Sequence, residues 1–277
     1  SIASTIFELA AGAKIKRLGF ESRNLDTDRY SRIKKKLRGI RFIATRDLIE
    51  ELRKIKNREE IAKIKKAVKI CVKSLELAKR IILPGRKEIE IAAELERFIR
   101  YNGASSTSFQ TIVASGSNSA FAHHLTSGRK LKAQDIVFID IGVDYQGYKS
   151  DLTRVFFLGK IHSEIKAIYD IVLQAQALAI NKIKPGIKIC EVEEIARQHI
   201  ALKGYGGFFG HNLGHGIGLE IHEKPAISSY NKETIQKGMV FTVEPAIYLP
   251  GEFGIRIEDD VLVTENGCEV LSDSLHK

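Results

Sequence analysis

The segment HNLGHGIGLEIHE, residues 211–223, spaces His211, His215 and His222 by four and then seven residues, with Gly214, Gly216 and Gly218 between them. Elsewhere Asp140 closes the apolar run VFID and Glu244 closes FTVE, while Asp151 and Glu258 stand on the runs that return from them. A carboxylate in so apolar a strand is costly unless something compensates it. A lone buried acid is protonated or paired with arginine, but four converging acids call for cations. With one imidazole from the glycine-rich segment they form an oxygen-rich five-ligand set, suited to two carboxylate-bridged divalent ions rather than to thiolate zinc. Metal pairs about 3.5–4 Å apart hold a shared hydroxide and polarise a carbonyl, a chemistry typical of aminopeptidases. Taken singly, Asp140, Asp151 or Glu258 reads better as a cap, a turn or an ion pair. Their recurrence beside the histidines reverses that reading. HGIG alone fits a tight turn, and both GxxxxGK[ST] and HExxH are absent.

The elements that must carry these residues repeat. LPGRKEIEIAAELERFIRYNGA (83–104) and KPGIKICEVEEIARQHIALKGY (184–205) align at an offset of 101 residues, each a Pro-Gly turn, a helix and a closing glycine. After each comes a pair of β-rich runs joined by glycine-containing turns. Two helix-helix-hairpin halves predict a pseudo-symmetric α+β domain with its site where the halves face each other. Upstream, RLGFES and RFIAT read as strands flanking a helix in DTDRYSRIKKKLRG, a small α/β segment covering residues 1–52. Asn57 and Glu60 form a capping-box pattern ahead of Ile61, Ile64, Val68 and Cys71, so the larger domain is expected over 53–277.

With 277 residues, 44% of them hydrophobic, the chain can build a sizeable core. No apolar run is long enough for a membrane span and the N-terminal residues lack the features of a signal peptide, so a cytoplasmic protein is expected. Because the sequence opens on Ser1 rather than methionine, a fragment or a processed form is expected. Cys71, Cys190 and Cys268 are widely separated and read as free thiols. The net charge of +10 is uneven: residues 1–80 hold 23 Lys+Arg against 10 Asp+Glu, and 81–277 hold 21 against 24. Lys34–Lys36 and the run KIKNREEIAKIKK read as solvated helix faces, which disfavours a nucleic-acid partner.

SFQTIVASGSN, VFIDIGVDYQGYKSDLTR, HNLGHGIGLEIHE, FTVEPAIY and IRIEDDVLVTENG resemble, in order and spacing, the motifs of the pita-bread metallopeptidases, in the Xaa-Pro aminopeptidase and prolidase branch. The resemblance implies a pita-bread catalytic domain over 53–277 behind a partial, truncated creatinase-like α/β domain over 1–52. It implies Asp140, Asp151, His215, Glu244 and Glu258 as metal ligands, with Asp151 and Glu258 bridging, Asp140 on one ion, and His215 with Glu244 on the other. The two ions it implies are most often Mn²⁺, with Co²⁺, Zn²⁺ or Fe²⁺ as alternatives. Hydroxide attack on the scissile carbonyl follows, Glu244 moving protons and His123, His211 and His222 orienting substrate and stabilising the oxyanion. His123 rather than His124 matches the motif. Arg256 reads as a support for the ligands or a contact for the substrate carboxylate, and Tyr248 as a support for the site. His162, His199 and His276 match no motif and read as surface or packing residues.

Ala122, Val155 and Ala246 depart from the branch's usual proline, threonine and glycine, and Ala122 and Ala246 bear on pocket shape. The partners implied are a proline-containing peptide or dipeptide and a second copy in a homodimer. A methionine aminopeptidase is the rival within the fold, disfavoured by LEIHE and the paired IRIEDD. A metal-free binding module for protein or nucleic acid is the rival outside it, disfavoured by the complete ligand set.

Overall fold

Burial on both faces explains why the strands that carry the acids read as unbroken apolar runs. The computed structural model describes residues 2–275 and 277, so that Ser1 and His276 lie outside the described residues. The chain forms two compact units, residues 1–52 and 53–277.

In the first unit, α1 (Ile2–Gly12) precedes β1 (Arg17–Glu21), α2 (Thr27–Lys36), β2 (Arg41–Thr45) and α3 (Leu48–Arg53), whose last residue opens the second unit. Strands β1 and β2 are parallel, joined through α2, which Asp26 caps by accepting from the Arg29 N–H at 2.7 Å. Ala10, Ile33 and Leu37 form its small core, with Phe42 packed against them.

The second unit begins with α4 (Arg58–Ile81), where Asn57 and Glu60 make the reciprocal capping box. α5 (Glu88–Tyr101), β3 (Ser106–Thr107) and β4 (Ile112–Ser115) follow, then a 3₁₀ turn over Gly116–Ala120. The first hairpin comprises β5 (Ile136–Ile141), β6 (Val143–Tyr145), β7 (Tyr148–Lys149) and β8 (Leu152–Phe157). The second half repeats the order: α6 (Ser163–Lys182), α7 (Ile189–Leu202), β9 (Gly214–Gly216), β10 (Glu223–Ile227), β11 (Val240–Val243), β12 (Ala246–Leu249), β13 (Phe253–Arg256), β14 (Asp259–Val263) and β15 (Cys268–Val270). Gly103 and Gly204 close α5 and α7 at φ +92° and +89°, a left-handed end that favours glycine in both halves.

β5 pairs antiparallel with β4 and β8, and β11 pairs antiparallel with β9 and β14. Alternation then sends side chains to two cores. Val113, Val137, Ile139, Val240 and Leu262 join the residues of α4 and α5. Ile112, Ile136, Phe138, Phe241, Val243 and Val261 join those of α6 and α7. The strands of both halves thus lie between two helix pairs, and no described helix is long and apolar enough to cross a membrane.

The structure corrects two readings. Each expected β-rich run is split in two, and Asp151 and Glu258 occupy the irregular positions just before β8 and β14 rather than the strands themselves. Lys54 and Lys56 belong to no solvated face: both are buried, Lys54 Nζ lying 2.7 Å from Glu233 and Lys56 Nζ 2.8 Å from Glu223. Those carboxylates lie far along the chain, where no local pattern reveals them.

Candidate metal centre

Asp140 lies inside β5, opposite Thr153 on β8, and Glu244 directly follows β11. The two breaks that hold Asp151 and Glu258 are stitched across the halves. The Asp151 N–H donates to Asp260 at 3.0 Å, the Thr153 hydroxyl donates to Glu258 at 2.5 Å, and the Glu258 N–H donates to the Thr153 carbonyl at 3.2 Å. Each half thereby fixes the other's carboxylate.

His215 arrives on β9, wedged between β10 and β11. A Cβ at Gly214 would meet the Thr242 carbonyl oxygen at 2.0 Å, and one at Gly216 the Lys224 carbonyl oxygen at 2.3 Å, so only glycine permits this approach. The residue is set by its backbone N–H, which donates to Thr242 Oγ1 at 3.0 Å, while ring Nδ1 lies 3.2 Å from the Gly216 carbonyl oxygen. Its Nε2 then stands 3.5 Å from both Asp151 and Glu244. Asp151, His215 and Glu258 each offer a ligand atom within 4.8 Å of the others.

All four acids and His215 line one cavity of about 420 Å³, together with His123, His211 and His222. His222 meets His215 edge to face, ring centres 4.2 Å apart. His211 lies 3.1 Å from the Tyr248 hydroxyl and 3.9 Å from Glu244. His123 is an exposed residue on the loop after the 3₁₀ turn. Phe109, Leu125 and Ile221 supply apolar walls.

Burial, followed by the charges of Glu258, Asp140 and the other nearby acids, pushes Asp151 well above the usual carboxylate range. Burial and then Glu258 do the same to Glu244. Glu258 is pushed up to about 7, by burial and then Asp140. Asp140 is raised too, burial outweighing its pairing with Arg256. The imidazoles move the other way: burial, then the charge of His222, lowers His215 to about 3, and burial with Arg256 lowers His211 to about 4. Neutral imidazole is the form that ligates a metal. Oδ1 of Asp140 and of Asp151 are buried without a hydrogen-bond partner among the described residues. Buried acids that repel one another, with unsatisfied oxygens and a neutral imidazole among them, fit a pair of hard divalent cations.

Arg256 is the protein's own cation here, and most of its capacity is committed. It is 3% exposed; Nε donates to Thr153 at 3.0 Å, Nη1 to the Tyr248 hydroxyl at 2.8 Å and the Ala122 carbonyl at 3.3 Å, and Nη2 to Asp140. Of its two readings, the geometry favours support of Asp140 and Tyr248 over contact with a free carboxylate. His162 is exposed and His199 half-buried on α7.

Several residues around the site escaped the motif reading. Thr153 and Asp260 were findable, since each is two positions from a singled-out acid and so shares its side in extended chain. Gln176 on α6 donates to the carbonyls of Val243 and Ile257, the residues before Glu244 and Glu258, at 2.9 and 3.1 Å. Arg197 on α7 bonds the carbonyls of Phe209 and His211 at 2.8 and 2.7 Å and is itself held by buried Glu193. No spacing rule points to these two.

The model of metallopeptidase family M24 matches residues 62–265, and that of the creatinase/prolidase N-terminal domain matches 2–55. A Xaa-Pro dipeptidase of Pyrococcus horikoshii is 44% identical over 258 residues, 93% of this chain and 73% of that protein. The solved X-Pro aminopeptidase of Thermotoga maritima superposes with a TM-score of 0.93 at 41% identity, over 98% of this chain and 77% of that one. The Xaa-Pro dipeptidase of Bacillus anthracis gives 0.98 at 42%, over 100% and 78%.

Proposed function

Because the chain belongs to metallopeptidase family M24, we propose that it is a two-metal exopeptidase that hydrolyses the bond between an N-terminal residue and a following proline. The observation that carries this reading is the meeting of Asp151, His215 and Glu258 in a cavity where acids from both halves converge. The Xaa-Pro activities named for the similar proteins support a proline-directed enzyme over a methionine-directed one. On this reading Asp140, Asp151, His215, Glu244 and Glu258 would hold the ions.

When bound, the ions, which we assign as Mn²⁺, would supply an activated water and polarise the scissile carbonyl. The protein's own groups do the rest. Glu244, against the cavity wall and 3.9 Å from His211, takes and returns the proton. His123 and His222 orient the peptide and donate to the developing oxyanion, and His211, its Nδ1 held by the Asn212 carbonyl and its Nε2 by the Tyr248 hydroxyl, orients the peptide from the cavity wall. Tyr248 holds His211, and Arg256 fixes Asp140 and Tyr248 together.

The test is metal-stripped protein assayed with Mn²⁺ on a dipeptide, a tripeptide and a longer peptide, each with proline second. Cleavage that depends on added metal is expected, and the three substrates rank the accepted lengths. Absence of metal binding by calorimetry and elemental analysis would overturn the reading.

A further inference from the structure

Glu88, the first residue of α5, is fully buried, far from the acids of the metal centre in sequence, and accepts six hydrogen bonds. Oε1 receives the Ser115 N–H and hydroxyl, both at 2.7 Å, and the Asn118 amide at 3.0 Å. Oε2 receives the Ser127 hydroxyl at 2.6 Å, the Ser127 N–H at 3.1 Å, and pairs with His124 Nε2 at 3.0 Å. A carboxylate offers about four lone-pair sites, so this one is saturated. Every donor comes from residues 115–127, which run from the last residue of β4 through the 3₁₀ turn into a loop.

That segment carries His123 to the cavity. Its neighbour on one side, Ala122, gives its carbonyl to Arg256, and its neighbour on the other, His124, is held by Glu88. His123 is thus suspended between one anchor in the acid cluster and one at the start of α5. The second half braces its own histidine from the matching helix: Glu193 on α7 grips Arg197 at 2.5 Å, and Arg197 grips the His211 carbonyl at 2.7 Å. Burial opposes a charged Glu88, but the bonds from Ser127, Ser115, His124 and Asn118 outweigh it and hold its pKa below the usual value. A charged acceptor is also favoured at a helix N-terminus.

We propose that Glu88 is a positioning residue, which fixes the segment 115–127 so that His123 meets the peptide in the geometry the reaction needs. The inference rests on the proposed peptidase reading. In Glu88→Gln, an amide NH₂ replaces one acceptor oxygen and faces donors from either Ser115 and Asn118 or Ser127 and His124.

The experiment compares wild type, Glu88→Gln, His123→Ala and the double variant in Mn²⁺, on a Xaa-Pro tripeptide. Glu88→Gln should lower kcat/KM by about 10- to 100-fold, the cost of a small misplacement, with unchanged Mn²⁺ content. The double variant should be no worse than His123→Ala alone, because the two act through one group. Losses that multiply, or a fully active Glu88→Gln, overturn the proposal. In histidine-labelled protein, the imidazole NMR signal assigned to His123 should shift in Glu88→Gln while those of His162 and His199 stay. An unmoved His123 signal also overturns it, and this readout stands even if wild type cleaves nothing, an outcome that sinks the peptidase reading instead. Should Glu88→Gln not fold, Ser127→Ala, which removes one donor, enters the same cycle and NMR comparison with the same outcomes.

Discussion

Nε2 of His215 lies 3.5 Å from Oδ2 of Asp151, so an imidazole from the glycine-rich segment of the second half meets a carboxylate from the first. Neither side chain has a reason to be there without the other half. On the proposed reading, metal binding and fold are therefore coupled at this contact.

Asp151→Asn separates the two. Burial and four neighbouring carboxylates work against a charged Asp151, so an amide there relieves repulsion in metal-free protein. The variant should melt no lower than wild type without metal. It should lose the rise in Tm that Mn²⁺ gives wild type, along with peptide cleavage. Thermal melts with and without Mn²⁺ check this, and a full metal-dependent shift in the variant contradicts it.

Glu88 sets part of the acid stability. Its folded-state pKa lies below the ordinary 4.5, so the group binds fewer protons folded than unfolded. Its contribution is complete above about pH 4.5 and is lost as pH falls through the lower folded value. Asp259, held down against burial by Arg154 and Lys277, acts with the same sign. Glu88→Gln should reduce stability at pH 7 and leave a shallower decline on acidification, measured as urea midpoints from pH 3 to 7.

Glu223 directly follows His222 and is held by two cations, Lys56 Nζ at 2.8 Å and Arg53 Nη2 at 2.5 Å. The Lys56 side chain is 1% exposed and that of Glu223 3%. Glu223→Ala leaves one cation deeply buried without its partner, at a cost of about 3 kcal/mol or more. Adding Lys56→Met should recover part of that loss. Chemical denaturation of the single and double variants decides it, and independent, additive losses would count against a buried pair.

Gly216→Ala should displace β9 from β10, because the new methyl carbon would lie 2.3 Å from the backbone oxygen of Lys224. His215 moves with the strand. Metal affinity is expected to fall by at least about tenfold, the size typical when the support of a ligand is lost. Isothermal titration with Mn²⁺ measures it.

The acids of the cavity were legible because a charge is conspicuous in a doubly buried strand and because the arrangement occurs twice. The repeat also announced both helix pairs, through Pro-Gly turns and the closing glycines Gly103 and Gly204. The breaks at Asp151 and Glu258 were not legible, since both lie beside apolar residues that read as continuous strand. Lys54, Lys56 and Glu88 were missed for a different reason. Their partners are remote in sequence, Glu88 reaching segment 115–127 and Lys54 reaching across 179 positions to Glu233, and local periodicity carries no trace of such pairs. Arg256 is intermediate: its place two residues before Glu258 drew notice, but only coordinates show how many acceptors it satisfies.

The bonds that stitch Asp151 to Asp260 and Thr153 to Glu258 join positions 109 and 105 residues apart. A growing chain has made two of the four acids long before the other two emerge, and neither half can close the centre alone. The centre that the proposed hydrolysis needs therefore closes only once both halves have been made. On the proposed reading, a chain released before its second half is made is an inert polypeptide, and an ion held by all five ligands would report that both halves have docked.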